Sequence, residues 1–221
     1  MNVVILNTAE LTGGAAVAAN RLMKALNRSG ANVSMLVRDQ KSRDPRVVSI
    51  NNSNLREKFN FMRFVWERLV IFLSNVMHLS SHPLVQNADF IHLHWINQGF
   101  LSLDDIKKLI RIGKPVVWTM HDMWPCTAIC HYSFGCERFK KECGKCPFLS
   151  SSDKKDLSYH VFNKKRFLAD SKIQLVAVST WLRQQAQDSA LTNRLPVEVI
   201  PNVIDTSLFV LSDKAEARKS L

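Results

Sequence analysis

Short apolar runs alternate with longer stretches in which apolar residues recur every three or four positions. The short runs have the length of strands: Val3–Leu6, Asn32–Val37, Val47–Ile50, Phe90–Leu93, Val116–Met120, Leu175–Val178 and Val197–Ile200. The helical patterns between them are Ala15–Leu26, Leu103–Ile112, Leu157–Ala169 and Thr180–Ala190. Buried strands separated by helices predict an α/β fold, with a doubly wound parallel sheet of about seven strands that is covered on both faces.

The longest helical pattern, Leu55–Met77, carries a broad apolar stripe. Apolar residues recur at steps of three and four from Phe59 to Val76, and further aromatic residues widen the stripe. The simpler interpretation is a helix packed on the sheet. The alternative is a helix that lies in a membrane interface with its basic residues toward the headgroups.

The chain is strongly basic. Its 221 residues include 30 Lys and Arg against 19 Asp and Glu, a net charge of +11, and residues 138–172 contribute ten basic side chains against four acidic ones. This balance favours an anionic partner such as nucleic acid, nucleotide phosphates or a membrane surface. Met1–Leu6 has the pattern of a strand and not of a signal peptide, and the apolar stretch Leu69–Met77 is too short to span a bilayer. We therefore expect a cytoplasmic location, with peripheral association at the inner face of the cell membrane as an option.

A glycine pair, Gly13–Gly14, lies between the first strand and the first helix. Glycines there would let backbone N–H groups approach phosphate oxygens at the start of a helix. A plain tight turn is the alternative. The three-glycine dinucleotide fingerprint is missing, and we expect no acidic residue at the end of the second strand, which runs into Val37-Arg38-Asp39. A nicotinamide cofactor is therefore disfavoured.

Histidines follow two of the predicted strands. In the run Asp89–Trp95, a period of two places His92 and His94 on one face, and His94 and Trp95 fall at the carboxyl end. The run Thr119–Pro125 places His121, Asp122 and Trp124 at the same sheet edge. An imidazole there can hydrogen-bond a sugar hydroxyl or stabilise developing charge. Buried structural histidines and a structural His–Asp pair are the alternatives.

Five cysteines lie within 21 residues: Cys126, Cys130, Cys136, Cys143 and Cys146. The Cys143-Gly144-Lys145-Cys146 knuckle is typical of tetrahedral zinc, and Cys130 and Cys136 could complete a structural site, with Cys126 or His131 as substitute ligands. Disulfides and free thiols are the alternatives. A metal would fasten the Cys-rich insertion, residues 126–150, which has little core of its own.

The order of these motifs resembles the N-terminal domain of a family-4 (group 1) retaining glycosyltransferase with the GT-B fold. Five elements carry the resemblance: Gly-Gly-Ala-Ala opening a helix, Asp-Phe-Ile-His-Leu-His-Trp, Thr-Met-His-Asp-Met-Trp-Pro, the strand into Val178-Ser179, and Ile200-Pro201-Asn202. The His-Asp-Met-Trp-Pro element before a cysteine-rich insertion resembles a bacterial subgroup linked to cell-surface polysaccharide assembly. The resemblance covers essentially the whole chain and implies a Rossmann-like domain that forms half of a GT-B fold.

The resemblance also implies a reaction and a set of roles. A hexose would pass from a UDP- or GDP-sugar to a lipid-linked or polysaccharide acceptor, with retention and without a catalytic metal. His121 would be the catalytic residue, in contact with the transferred sugar. Gly13, Gly14 and Asn202 would approach the donor phosphate and sugar. The acceptor cleft would be formed by His94, Trp95, Asp122 and Trp124.

The resemblance divides the chain into a domain over residues 1–205 and a second part, residues 206–221, that would form the hinge and the start of a C-terminal donor-binding domain missing from this sequence. Asn202 and Asp205 would lie at this hinge, where Val203 replaces the glycine usual in the family. Without the second domain we expect the chain to be inactive alone. Two alternatives remain: a basic, zinc-stapled nucleic-acid-binding module, and half of a nucleotide-sugar epimerase. We favour the glycosyltransferase and expect no nucleic-acid partner, because the basic segment lacks regularly interleaved aromatic residues.

Overall fold

The computed structural model describes residues 1–50, 79–206, 209–210 and 213–219. The predicted helix Leu55–Met77 lies outside the described residues. Seven parallel strands form one sheet in the order β3-β2-β1-β4-β5-β6-β7. The strands are β1 Asn2–Ala9, β2 Asn32–Asp39, β3 Val47–Ser49, β4 Phe90–Leu93, β5 Val116–Met120, β6 Gln174–Ala177 and β7 Val197–Val199. The predicted fold class and Rossmann-like architecture are therefore confirmed.

Six α-helices are described, and short polar signals start most of them. They are α1 Gly14–Arg28, α2 Pro83–Gln86, α3 Leu103–Arg111, α4 Leu157–Lys165, α5 Thr180–Asp188 and α6 Lys214–Lys219. Ser102 and Asp105 form a capping box on α3, while Asp156 and Ser179 cap α4 and α5. Gly30, with φ of 89°, follows the end of α1, where a left-handed residue favours glycine. No helix of the described part is long and apolar enough to cross a membrane.

Two apolar clusters lie on opposite faces of the sheet. Val3, Ile5 and the β2 residues on their side pack against α1. The other face carries the larger cluster, which includes Ile91 and Trp118 and continues into the helices that connect β4 to β7. Strand direction is common to all seven strands, so their carboxyl ends share one edge.

The end of β2 corrects one expectation. The strand continues through Val37 to Asp39, so an acidic residue does end it. The carboxylate of Asp39 forms an ion pair with Arg38 at 2.8 Å. β2 extends two residues beyond Val37, its last apolar residue, because its backbone pairs with β1 as far as the Ala9–Asp39 pair.

Candidate active site

Three histidines meet at the carboxyl edge of β4 and β5. His94 directly follows β4 and His121 directly follows β5, and these strands are neighbours. The Nδ1 atom of His94 lies 2.9 Å from Nε2 of His121. His92 lies next to them, with its ring centroid 4.4 Å from that of His94 and its Nε2 atom 2.8 Å from Oγ1 of Thr119. The sheet register thus brings together residues that are 27 positions apart.

Burial keeps these imidazoles neutral. Burial and the neighbouring His121 lower the pKa of His92 to about 4. Burial also lowers the pKa of His121 to about 4, although the charge of Asp122 opposes the shift. The pKa of His94 falls well below its ordinary value through burial and its two histidine neighbours. A neutral imidazole can donate one hydrogen bond and accept another, so the pair can orient a hydroxyl without placing a positive charge in the site.

Asp122 fixes the aromatic wall beside the histidines. Its Oδ2 atom accepts hydrogen bonds from Nε1 of Trp95 at 2.9 Å and from the His131 ring at 2.8 Å, and Oδ1 accepts one from the backbone of Trp124 at 2.8 Å. Burial raises the pKa of Asp122, but these hydrogen bonds outweigh it, and the pKa lies below its ordinary value. Both carboxylate oxygens are thus committed to neighbours within the chain.

Trp124 packs against Lys165, a residue that sequence reasoning missed. Lys165 was counted in the basic segment, yet it is fully buried. Its Nζ atom lies 3.2 Å from the centroid of the Trp124 ring and donates hydrogen bonds to the carbonyls of Trp124 and Thr127 at 2.7 and 3.0 Å. Burial lowers its pKa well below the ordinary value. Its spacing of three from the buried Phe162, on one face of α4, was the available signal.

The glycine pair opens α1 at the same sheet edge. Gly13 has φ of 89°, which favours glycine, whereas Gly14 has no such constraint. Among the residues that the structure describes, none has an atom within 4 Å of the position that a Cβ would take on either glycine. No side chain caps the first turn of α1, and that turn holds no acidic residue. The first turn of an α-helix leaves backbone N–H groups without intrahelical partners, and such groups can bind an anion.

Glu10, at the end of β1, is a second residue that sequence reasoning missed. It is 1% exposed, and its Oε2 atom accepts hydrogen bonds from the backbone of Lys41 and Ser42, each at 2.7 Å. Burial raises the pKa of Glu10, but hydrogen bonds from Ser42 and Lys41 outweigh it and lower the pKa. A glutamate directly after a buried run was the available signal.

Unpartnered polar atoms mark this sheet edge. Among the described residues, three buried side-chain atoms have no hydrogen-bond partner: Glu10 Oε1, His94 Nε2 and Asn97 Oδ1. All three residues follow β1 or β4. Buried polar atoms are usually paired, so this edge is suited to a polar ligand that would supply the missing partners.

Two cavities adjoin the histidines. A narrow one of about 10 Å³ is lined by His94, Trp95, His121 and Asp122. A groove of about 300 Å³ lies on the α1 face of the sheet, and Asn202 and Val203 line it together with His92 and His94. The structure therefore places Asn202 on the same groove as two of the histidines. Asp205 lies beyond the groove, in the segment after β7, and its carbonyl accepts a hydrogen bond from Phe209 at 2.9 Å.

The cysteines gather on the connection between β5 and α4 as free thiols, with Cys126 and Cys146 buried. Burial raises the pKa of Cys130 and Cys143 to about 11, and the neighbouring thiols of Cys136 and Cys146 raise it further. Burial raises the pKa of Cys126 to about 12. Within the described ranges, no group of three or more His, Cys, Asp or Glu side chains is placed to hold a metal ion. Zinc binding by Cys130, Cys136, Cys143 and Cys146 stays a prediction.

Comparisons with known proteins agree with this architecture. WcaC of Escherichia coli K12, provisionally named a colanic acid biosynthesis glycosyl transferase, is 35% identical over 75 residues, which are 33% of this chain and 18% of WcaC. The crystal structure of WaaG, a glycosyltransferase involved in lipopolysaccharide biosynthesis, superimposes with a TM-score of 0.50 at 15% identity over 99% of this chain and 50% of the WaaG chain. A UGT transferase from Siraitia grosvenorii in complex with UDP gives a TM-score of 0.41 at 11% identity, over 99% of this chain and 51% of its own.

The fold is therefore that of the N-terminal half of a GT-B glycosyltransferase, and the chain spans about half the length of WaaG. The family model described as Glycosyltransferase Family 4 matches residues 12–208, which is most of the 221-residue chain. The chain belongs to Glycosyltransferase Family 4.

Proposed function

We propose that the chain forms the acceptor-side half of a retaining glycosyltransferase. The transferred group is a hexose, the donor is a UDP- or GDP-sugar, and the acceptor is a lipid-linked sugar or a polysaccharide of the cell envelope. The family assignment favours this proposal over a nucleic-acid-binding module and over an epimerase half. The observation that carries it is the neutral His94–His121 pair at the sheet edge from which α1 also starts, since β1 and β4 are neighbouring strands.

The two features match the two charges that develop during transfer. The bond between the anomeric carbon and the diphosphate oxygen breaks with its electron pair on the diphosphate, and the sugar becomes cation-like. The positive end of the α1 dipole and the free N–H groups after Gly13 favour the diphosphate. His121, held by His94, would contact the sugar as a neutral hydrogen-bonding group, which does not repel the cation-like ring.

The acceptor would enter along the aromatic wall. Trp95 and Trp124, both anchored by Asp122, border the histidines. Indole rings bind the apolar faces of sugars, while the paired carboxylate keeps the rings in place. We place the reaction in the cytoplasm, at the inner face of the membrane.

The donor site would be completed by a second domain that follows Asn202 and Asp205. The chain spans about half of WaaG, and Asn202 lines the groove beside the histidines. We assign residues 1–205 to the domain and residues 206–221 to the hinge and the start of the second domain. We expect the purified chain to release no nucleoside diphosphate from UDP- or GDP-sugars above the blank, and measurable transfer by the chain would overturn the half-site proposal.

The donor approach is tested by the substitution Gly14→Val. Because Gly14 is free of positive φ and surrounded by open space, the valine side chain fits the fold yet occupies the space where a diphosphate would lie. By calorimetry with UDP-glucose and GDP-mannose we expect about a tenfold loss of affinity with unchanged thermal stability. Thr12→Val, an exposed neighbour, is the matched control and should bind as the parent chain does. Equal affinity in the Gly14→Val variant would refute the donor-side role.

We also propose that Cys130, Cys136, Cys143 and Cys146 hold a structural zinc ion. Two features support the proposal: Cys143 and Cys146 have the spacing of a zinc knuckle, and all four cysteines lie on the one connection between β5 and α4. The thiols would have to draw together on binding, because they form no ready ligand group as described.

A further inference from the structure

Four aromatic rings from three separate segments form one exposed patch beside the cleft. We define the aromatic patch as Tyr132, Phe134, Phe148 and Trp181. Their ring centroids follow one another at 5.6 Å from Trp181 to Tyr132, 4.9 Å from Tyr132 to Phe134 and 5.6 Å from Phe134 to Phe148. All four are exposed, Phe134 to 74%. Contiguous exposed apolar surface of this kind marks an interaction site in soluble domains.

Phe134 is held outward by its backbone. It has φ of 48°, and Gly135 after it has φ of 83°, while the backbone of Cys136 bonds to Ser133 across this turn at 2.9 Å. A left-handed conformation is costly for a large aromatic residue and cheap for glycine or asparagine. The ring contacts Tyr132 and Phe148, yet most of its surface stays exposed and is available to a partner.

Lysines border the Phe148 end of the patch. The backbone N–H of Lys145 donates to the carbonyl of Asp153 at 3.0 Å, which places Lys145 beside Lys154 and Lys155. All three lysines are exposed. Phe148 follows Lys145 by three residues, and its neighbour Leu149 is also exposed.

The acidic residues of this region leave the lysines a small net positive charge. Glu137 is paired with Lys140 at 2.6 Å, and Glu142 is paired with Arg166 at 2.8 Å. Asp153 lies among the three lysines, and its Oδ1 atom accepts a hydrogen bond from the backbone of Lys155. Asp156 also lies here, where its carboxylate accepts a hydrogen bond from the backbone of Cys146 at 2.7 Å. Three lysines against two carboxylates leave the rim with a net charge of +1.

We propose that the aromatic patch and its lysine rim, Lys145, Lys154 and Lys155, dock onto an anionic lipid surface. Such a surface offers an apolar layer for the rings and phosphate charge for the lysines within one short distance. A protein partner could supply both as well, but it would need a matching apolar hollow and an acidic rim. A bilayer presents both along its entire surface.

Docking would bring the cleft to the membrane. Tyr132 is preceded by His131, whose ring lies 5.9 Å from that of Trp95 and bonds to Asp122. The rim of the cleft and the patch are thus continuous. The consequence, that a lipid-linked acceptor would present its sugar directly to His121, rests on the proposed function, whereas the docking itself does not.

The test is sedimentation of the chain with vesicles. We expect binding to phosphatidylcholine vesicles that contain about one third phosphatidylglycerol, little binding to phosphatidylcholine alone, and weakening by salt. The double variant Phe134→Ser/Phe148→Ser and the triple variant Lys145→Gln/Lys154→Gln/Lys155→Gln should each lower the partition coefficient about tenfold. Thermal unfolding should be unchanged, because all five side chains are exposed.

Matched controls distinguish binding through this surface from nonspecific hydrophobic adsorption and from an effect of net charge alone. Phe209→Ser removes an exposed ring outside the patch, and Lys24→Gln/Arg28→Gln/Arg43→Gln removes the same charge from other exposed positions. Both should stay within about twofold of the parent chain. Failure of the parent chain to sediment with anionic vesicles overturns the proposal, as does equal loss in the controls or full binding by the patch variants. A dimer that Phe134→Ser/Phe148→Ser dissociates, with no vesicle binding, would assign the patch to a second copy instead.

Discussion

The histidine cleft and the Cys-rich insertion adjoin each other but are held in place by different means. His94 and His121 directly follow paired strands, so the register of β4 and β5 sets their contact. The insertion, residues 126–150, contains only short 3-10 turns, and three of its non-glycine residues have positive φ: Phe134, Lys145 and Ser150. The positions of the cleft residues are set by strands that pack in a large apolar core. The conformation of the insertion depends instead on a small number of individual contacts.

Those contacts are mostly polar. Asp156 accepts a hydrogen bond from the backbone of Cys146 at 2.7 Å, Ser189 donates one to the carbonyl of Cys126 at 2.6 Å, and Lys165 holds the segment between Trp124 and Thr127. The contacts of Ser189 and Lys165 join positions 63 and 41 apart in the sequence, whereas the Asp156 contact joins positions 10 apart. Changes to single side chains should therefore loosen the insertion, while the cleft should respond chiefly to protonation.

The largest expected effect is the removal of zinc. If the insertion is fastened by metal, the purified chain holds one zinc ion with four protected thiols, and a chelator should release it at a cost on the order of 10 kcal/mol in the stability of the insertion. Elemental analysis, a thiol count and hydrogen exchange before and after chelation measure this. Cys126→Ala is the control, since Cys126 packs against the carbonyl of Met123 and lies outside the proposed ligand set. Absence of metal, with Cys130, Cys136 and Cys143 open to a thiol reagent, would remove the zinc proposal and leave the polar contacts as the fastening.

The next largest effect should come from Lys165→Met. Methionine keeps the length of the side chain but leaves the carbonyls of Trp124 and Thr127 without their donor. Burying two unpaired carbonyls predicts a loss of about 4 kcal/mol in the free energy of unfolding. Lys164→Met, at the exposed neighbouring position, should cost less than about 1 kcal/mol. Urea denaturation of both variants makes the comparison, and equal stabilities would show that Lys165 is replaceable by any side chain that fills its space.

Lys165 also shows where sequence reasoning failed. Strands, helices and the meeting of His94 with His121 follow from periodicity and from the shared carboxyl edge of parallel strands, which are local or topological rules. The burial of Lys165 requires knowing that Trp124 and Thr127 turn their carbonyls toward α4. Likewise, the pairing of Gly144 with Lys154 and the exposure of Phe134 depend on the path of an irregular segment. Such paths are set by tertiary contacts that no periodic pattern encodes.

Acid should act on the cleft. The pKa values of His92 and His121 are lowered to about 4 in the fold, while an unfolded histidine titrates near about 6.5. Below that value the unfolded state binds more protons, so stability is full above about pH 6.5 and falls as the pH drops toward about 4, by roughly 3 kcal/mol for each imidazole. Asp122 stays ionised in this window because its pKa is lowered.

Chemical denaturation at several pH values measures this loss. His121→Gln removes one titrating group and should flatten the fall by about 3 kcal/mol. Thr12→Val, at an exposed position, removes no titrating group and should leave the slope as it is. A slope unaffected by His121→Gln would mean that the imidazole is solvated and would weaken its assignment to a closed sugar site.

The smallest effect, and the sharpest one for the comparison, is expected from Gly144→Ala. A Cβ atom at Gly144 would lie 2.3 Å from the carbonyl oxygen of Lys154, and Gly144 has φ of 153°. The backbone of Lys154 must move away, which should cost about 2 kcal/mol. Gly113→Ala has positive φ without any atom in the way and should cost about 1 kcal/mol. The difference in unfolding free energy between the two variants gives the cost of the close approach between Gly144 and Lys154.

Hydrogen exchange locates the effect of Gly144→Ala. It should become faster around Cys143 and Cys146 and stay slow in β5, because the sheet core does not depend on the Cys143–Cys146 knuckle. Faster exchange in β5 as well would show that the insertion and the cleft unfold as one cooperative unit. The claim that they are stabilised by separate contacts would then be wrong.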